Sequence, residues 1–135
     1  MRATLVPGVL STQSFVVHEH HLVPALFPDE PLLTGMPPVL ATPWLVAMVE
    51  TAAIHALAPH LDDGEASVGA RLHIDHTAPT PLGRTVTVTA TCVSVDRRRV
   101  TFAATANDGE ADIGAASHDR FVIDHQKFRA KLAAG

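Results

Sequence analysis

Apolar and polar residues alternate without a break from Thr85 to Cys92, where Thr85, Thr87, Thr89 and Thr91 interleave with Val86, Val88, Ala90 and Cys92. A period of two puts each set on its own face of a pleated strand, so Arg84–Asp96 is predicted as a strand. The same period runs through Ser67–His76, and shorter versions mark Ser14–Val17, Val100–Ala106 and a final strand ending near Ile123. Between the first strand and the rest the pattern changes twice. Residues 18–40 hold Pro24, Pro28, Pro31, Pro37 and Pro38, a density that predicts a long loop or lid, with a plain crossover as the alternative. Trp44 through Ala58 is then apolar nearly all round, with only Glu50, Thr51 and His55 polar, which predicts a helix inside the fold. Thr42-Pro43 supplies an N-cap hydroxyl and a first-turn proline, while Pro59 and Asp62-Asp63-Gly64 mark the exit.

The four segments after the helix read as an antiparallel meander turning at Asp96-Arg97-Arg98-Arg99 and Asn107-Asp108-Gly109. Asp124 is placed to cap a closing helix through Leu132, with Phe128 and Leu132 on one face. One buried helix against about five antiparallel strands is an α+β arrangement, an outline that several small folds share.

Composition narrows this picture. A chain of 135 residues suits a single domain spanning 1–135, and 47% hydrophobic against 18% charged residues is enough apolar material for a core. A formal charge of −4 offers no general attraction for nucleic acid. The lone Cys92 cannot form an internal disulfide, and Pro7, Gly8, Ser11, Thr12 and Gln13 interrupt any apolar leader. Together with the lack of an 18-residue apolar run, this leads us to expect a cytoplasmic protein without a membrane segment.

Candidate chemistry centres on the helix and the strand after it. Steps of three and four link Val46, Glu50, Ile54 and Leu57, so Glu50 sits on an apolar stripe. A carboxylate there is either a base or nucleophile with a raised pKa, or a structural group tied to a core partner. His76 shares its parity with Ala70, Leu72 and Ile74, whereas His73 and Asp75 take the opposite one. An imidazole on that face can serve as general base, or can simply be a satisfied core histidine. Thr42 can cap the helix and also lie where helix N–H groups favour negative charge. Gly69 either relieves crowding in its strand or lets a ligand approach the backbone. Arg120 can pair with Asp119 or Asp124, or reach a ligand. His18, His20 and His21 lack a second constellation with metal-ligand spacing, so no metal site is expected. Arg97–Arg99 reads as a solvated hairpin tip, and Cys92 as a buried inert thiol.

The runs Ala41-Thr42-Pro43-Trp44, Met48-Val49-Glu50, Ala58-Pro59-His60-Leu61, His76-Thr77-Ala78, Gly83 through Ala90 and His118-Asp119-Arg120 together resemble the fluoroacetyl-CoA thioesterase family. The resemblance covers the chain from about Phe15 onward. It implies a hotdog fold, in which an antiparallel sheet of about five strands wraps one long central helix, and a homodimer with active sites near the subunit interface. It also implies hydrolysis of a small acyl-CoA without metal or redox cofactor. Thr42, Glu50 and His76 match the family's catalytic positions, and Gly69 and Arg120 match positions that contact the substrate. Met36 stands where the family's enzyme carries a gating phenylalanine, which implies a different or broader acyl preference. A non-catalytic acyl-CoA sensing module is the competing reading, separable by whether thiol is released.

Overall fold

The computed structural model describes residues 1–135. Five strands form one antiparallel sheet: β1 (Leu10–Val16), β2 (Glu65–His76), β3 (Thr85–Asp96), β4 (Arg99–Asn107) and β5 (Asp112–Asp124). A four-residue helix α1 (Pro31–Thr34) sits in the long loop, α2 (Thr42–Leu57) lies against the sheet, and α3 (His125–Ala134) closes the chain. Each expected strand is present, but of the expected four-strand meander only β3, β4 and β5 pair in succession. The sheet order is β1-β3-β4-β5-β2, so β2 crosses the whole sheet to pair with β5 and leaves its other edge free. Pairing consecutive strands would have needed β2 beside β3; instead β1 takes that place, with Ser11 opposite Ala90.

The alternation in β3 does what its period requires. Val86, Val88, Ala90 and Cys92 are buried against α2, with Val100, Phe102, Ala104 and Ala106 of β4 beside them. From α2 itself Leu45, Met48, Val49, Ala52, Ala53, Ala56 and Leu57 enter this core. Burying each large aliphatic or aromatic side chain contributes roughly 1.5–3 kcal/mol, which is what holds the helix to the sheet. The helix is nevertheless not enclosed all round. Glu50 is only half-buried and Ile54 is 44% exposed, so an apolar sequence leaves one stripe open.

The proline-rich segment winds through two 3-10 turns and α1, pinned at its end by bridges from Leu22 to Leu40 and from Val39 to Pro81. Its tip presents Phe27, Leu32 and Met36 to solvent. At the β4–β5 turn, the buried Asp108 carboxylate accepts from the N–H groups of Glu110 and Ala111, from Thr80 Oγ1 and from Arg84. Asp124 caps α3 through Lys127 N–H at 3.0 Å, as expected, yet Phe128 and Leu132 remain exposed rather than packed. No helix is long and apolar enough to cross a membrane.

Candidate active site

Two polar clusters lie along α2. At its first turn, Thr42 Oγ1 is 2.8 Å from His76 Nδ1. Thr42 is the first helical residue and not the N-cap, a correction to the sequence expectation: Ala41 holds the cap position without a side-chain bond, and Pro43 follows. The threonine hydroxyl is thereby released from capping and turned to the histidine. His76 ends β2, and burial holds its pKa below the usual histidine value. Its imidazole is therefore neutral at pH 7. The Nε2 atom is buried and has no hydrogen-bond partner, a costly state that a bound polar group would relieve. A cleft of about 280 Å³ opens over this pair, walled by Val23, Val39, Leu40 and Ala78. That lies just under the usual size of a small-molecule site. A larger, mostly apolar cavity of about 460 Å³ lies beside it, between Pro43, Trp44 and Ala47 of the helix and His20, Ala25 and Leu26 of the loop.

The second cluster lies eight residues further along the helix. Glu50 Oε2 is 3.4 Å from Arg120 Nη1. Here the expectation of a buried carboxylate fails: the Glu50 side chain is 41% exposed, whereas Arg120 is 4% exposed. The cation is the buried partner and the carboxylate its outward contact. Burial pulls the arginine pKa down, and Glu50 opposes that pull. Arg120 Nε donates to Ser67 Oγ at 2.9 Å and Nη2 to the Ser67 carbonyl at 3.1 Å. Neither Asp119 nor Asp124 pairs with Arg120, so of the two sequence alternatives the ion pair with a neighbouring aspartate falls away. Asp119 is one residue away on β5 and so faces the other side of the sheet, bonded to Thr101 Oγ1 at 2.8 Å.

Gly69 lies directly across from Arg120 in the β2–β5 pairing. A Cβ there would sit 3.3 Å from Arg120 Nη1 and 3.5 Å from both Glu50 Oε2 and His118 Cε1. Glycine therefore leaves room for the cluster. The parity reading of β2 needs correcting at this point. A register shift between Gly69 and Arg71 moves Gly69, in place of Ala70, onto the face shared by Leu72, Ile74 and His76.

Sequence reasoning missed His118. It is 1% exposed and contacts Arg120 Nη1 at 3.1 Å and the Arg71 carbonyl at 2.8 Å. The signal was present, because His118 and Arg120 are two apart on one strand and share a face. Met36 is 46% exposed on the loop and touches neither cluster by a hydrogen bond. His18 stacks on His20, and His21 is tilted against both with its ring edge-on to Trp44.

Thr42–His76 and Glu50–Arg120–Gly69 are thus each assembled, but not with one another. Eight residues of helix at ~1.5 Å each separate Thr42 from Glu50 by about 12 Å.

A family model described as a fluoroacetyl-CoA-specific thioesterase matches residues 25–126. The fluoroacetyl-CoA thioesterase of Streptantibioticus cattleyicolor is 44% identical over 125 residues, covering 93% of this chain and 90% of that protein. A solved structure of a mutant fluoroacetyl-CoA-specific thioesterase in complex with fluoroacetate and CoA superposes with a TM-score of 0.87 at 43% identity, covering 90% of this chain and 98% of the other. A hypothetical protein from Thermus thermophilus, described as a thioesterase superfamily member, gives a TM-score of 0.88 at 26% identity, over 98% and 93% of the two chains.

Proposed function

The chain belongs to the fluoroacetyl-CoA-specific thioesterase family, and from that membership we propose that it hydrolyses a small acyl-CoA to the free acid and CoA, with Thr42, Glu50 and His76 as its catalytic set and Gly69, Arg120 and Met36 at the substrate. The observation that carries the assignment of residues is the pair of half-sites on α2, one neutral with a buried, unpartnered imidazole nitrogen, the other charged. A reaction at one carbonyl needs both within a few ångströms.

A second copy of the chain supplies the missing half. Strand β2 has twelve residues and a free edge, and α2 leaves Glu50 and Ile54 uncovered; both features favour pairing. An antiparallel pairing of two β2 edges centred on His73, with Ala70 bulged out, sets Gly69 of one copy opposite His76 of the other. Glu50 and Arg120 of one copy then face Thr42 and His76 of its mate across a shared cleft.

In this homodimer Glu50, one oxygen held by Arg120, uses the other to take a proton from water as the water oxygen bonds to the thioester carbon. The oxyanion that forms lies by the first turn of α2, where the Thr42 N–H and hydroxyl donate; Pro43 has no N–H and that of Trp44 is spent on the Ala41 carbonyl. The carbon–sulfur bond then breaks as Glu50 gives its proton to His76 Nε2 and the imidazole passes it to the departing CoA sulfur, leaving the carboxylate ionised and the ring neutral for the next turnover. The exposed loop bearing Phe27, Leu32 and Met36 covers the acyl group, with the flexible methionine accommodating more than one acyl shape. The buried free thiol of Cys92 suits a cytoplasmic protein.

Thiol release from acetyl-, fluoroacetyl-, propionyl-, butyryl- and aryl-CoA, compared between wild type and Glu50→Gln, tests the activity. Loss in the variant supports the reading, whereas binding without release from any thioester would make the protein an acyl-CoA sensor. The shared site has its own test. Mixing Glu50→Gln with His76→Ala chains should restore about a quarter of wild-type turnover, because half the dimers are mixed and each carries one intact site. No recovery on subunit exchange would put each site within a single chain.

A further inference from the structure

We propose that His118 is a positioning residue for hydrolysis, whose ring is fixed in one tautomer so that it accepts from Arg120 and aims the guanidinium at Glu50; the inference rests on the thioesterase reading above. The tautomer follows from the partners. The Arg71 carbonyl can only accept, so at 2.8 Å the His118 Nδ1 atom carries the proton and donates it. Arginine can only donate, so at 3.1 Å the Nε2 lone pair of His118 accepts from Arg120 Nη1. The second N–H of Nη1 is the one that reaches Glu50 Oε2, at 3.4 Å.

Ser67 grips the other side of the guanidinium, through Nε at 2.9 Å and Nη2 at 3.1 Å. The contact to Glu50 is the longest of the four and so the most sensitive to a tilt of the arginine plane. Without an acceptor at Nε2 of His118, the Nη1 end is held by that long contact alone. Gly69 completes the arrangement, since a Cβ there would crowd Nη1 at 3.3 Å and lie in contact with the His118 ring at 3.5 Å. The competing account is purely structural: His118 satisfies the Arg71 carbonyl at the β2 irregularity and does nothing for catalysis.

Two conservative variants separate these accounts. In His118→Asn the side-chain amide can stand in for Nδ1–H toward Arg71, but the acceptor facing Arg120 is lost. In His118→Gln the carbonyl oxygen can replace Nε2 toward Arg120, while the donation to Arg71 is lost. Both are assayed for thiol release and melting temperature, alone and with Arg120→Ala. A positioning role predicts that the glutamine variant stays within about threefold of wild-type kcat. The asparagine variant should lose about ten- to hundredfold in kcat, with KM little changed. In the Arg120→Ala background His118→Asn should then cost nothing further. The proposal fails if the asparagine variant keeps its turnover while the glutamine variant loses it, if both match wild type, or if the asparagine loss multiplies in full onto Arg120→Ala.

Nitrogen NMR of histidine-labelled wild type reads the tautomer without any variant. A pyridine-type resonance at Nε2 of His118 supports the relay, and a protonated Nε2 overturns it. Absence of thiol release from the wild type would remove the thioesterase reading, while the NMR result would still decide the His118–Arg120 geometry.

Discussion

The two ends of the polar track along α2 differ in how completely the chain satisfies them. At the first turn, Thr42 and His76 make one hydrogen bond, and the imidazole is left with a buried, unpartnered nitrogen. Two turns on, Arg120 is bonded to Ser67, His118 and Glu50, and only the carboxylate opens to solvent. The first cluster is neutral and unsatisfied; the second is charged and tightly held. A proton carrier must exchange partners during turnover, so it gains from an open valence. A carboxylate that activates water has to stay oriented and ionised, so it gains from a fixed cation.

Glu50→Gln tests the charged end most severely, since the amide keeps the shape and removes the carboxylate proposed as the base. A drop in kcat of about a thousandfold is expected, with a melting temperature near wild type because the side chain is half-exposed. A loss below tenfold would shift the base to the other cluster. At the neutral end His76→Ala should lower kcat by about a hundredfold, since the proton path to sulfur is lost but the carboxylate remains. Turnover unchanged by that replacement would strip His76 of any catalytic role. Thr42→Ala should cost less, about tenfold, with Thr42→Ser recovering most of it, because the backbone N–H of that residue still faces the oxyanion.

A glycine pair sharpens the contrast between site and scaffold. A Cβ on Gly69 would meet only side-chain atoms, the nearest being Arg120 Nη1 at 3.3 Å, whereas one on Gly114 would lie 2.7 Å from the Asp75 carbonyl. Gly114→Ala should therefore destabilise by roughly 1–3 kcal/mol in denaturant unfolding, as overpacking against backbone does. Gly69→Ala should leave stability closer to wild type and reduce kcat instead.

The smallest expected effect is on stability against pH. Burial lowers the pKa of both His76 and His118 below the ordinary 6.5. The unfolded chain takes up these protons near 6.5 while the folded chain resists them. Their contribution is thus complete above that pH and declines as pH falls toward the lower folded values. Denaturant midpoints measured from pH 7.5 to 5 should fall, and the slope should flatten in His118→Gln. A midpoint that rises toward acid would contradict the burial of both rings.

The sequence by itself determined the elements and their faces. Period-two patterning marked the strands, the apolar run with Thr42-Pro43 and Pro59 marked α2, and Asp124 marked the start of α3. These features are local, since backbone geometry fixes which neighbours share a face. The family motif likewise singled out Thr42, Glu50, His76, Gly69 and Arg120. Only the tertiary structure decided that β2 pairs with β5, because strand order depends on contacts between distant segments. The β2 irregularity that turns Gly69 inward was equally out of reach, as one shifted residue reverses the parity from which faces are read. So was the exchange of burial between Glu50 and Arg120. An apolar stripe says that a side chain points toward packing, but which member of an ion pair is enclosed depends on the strands that close over it, and here Ser67 and His118 close over the arginine.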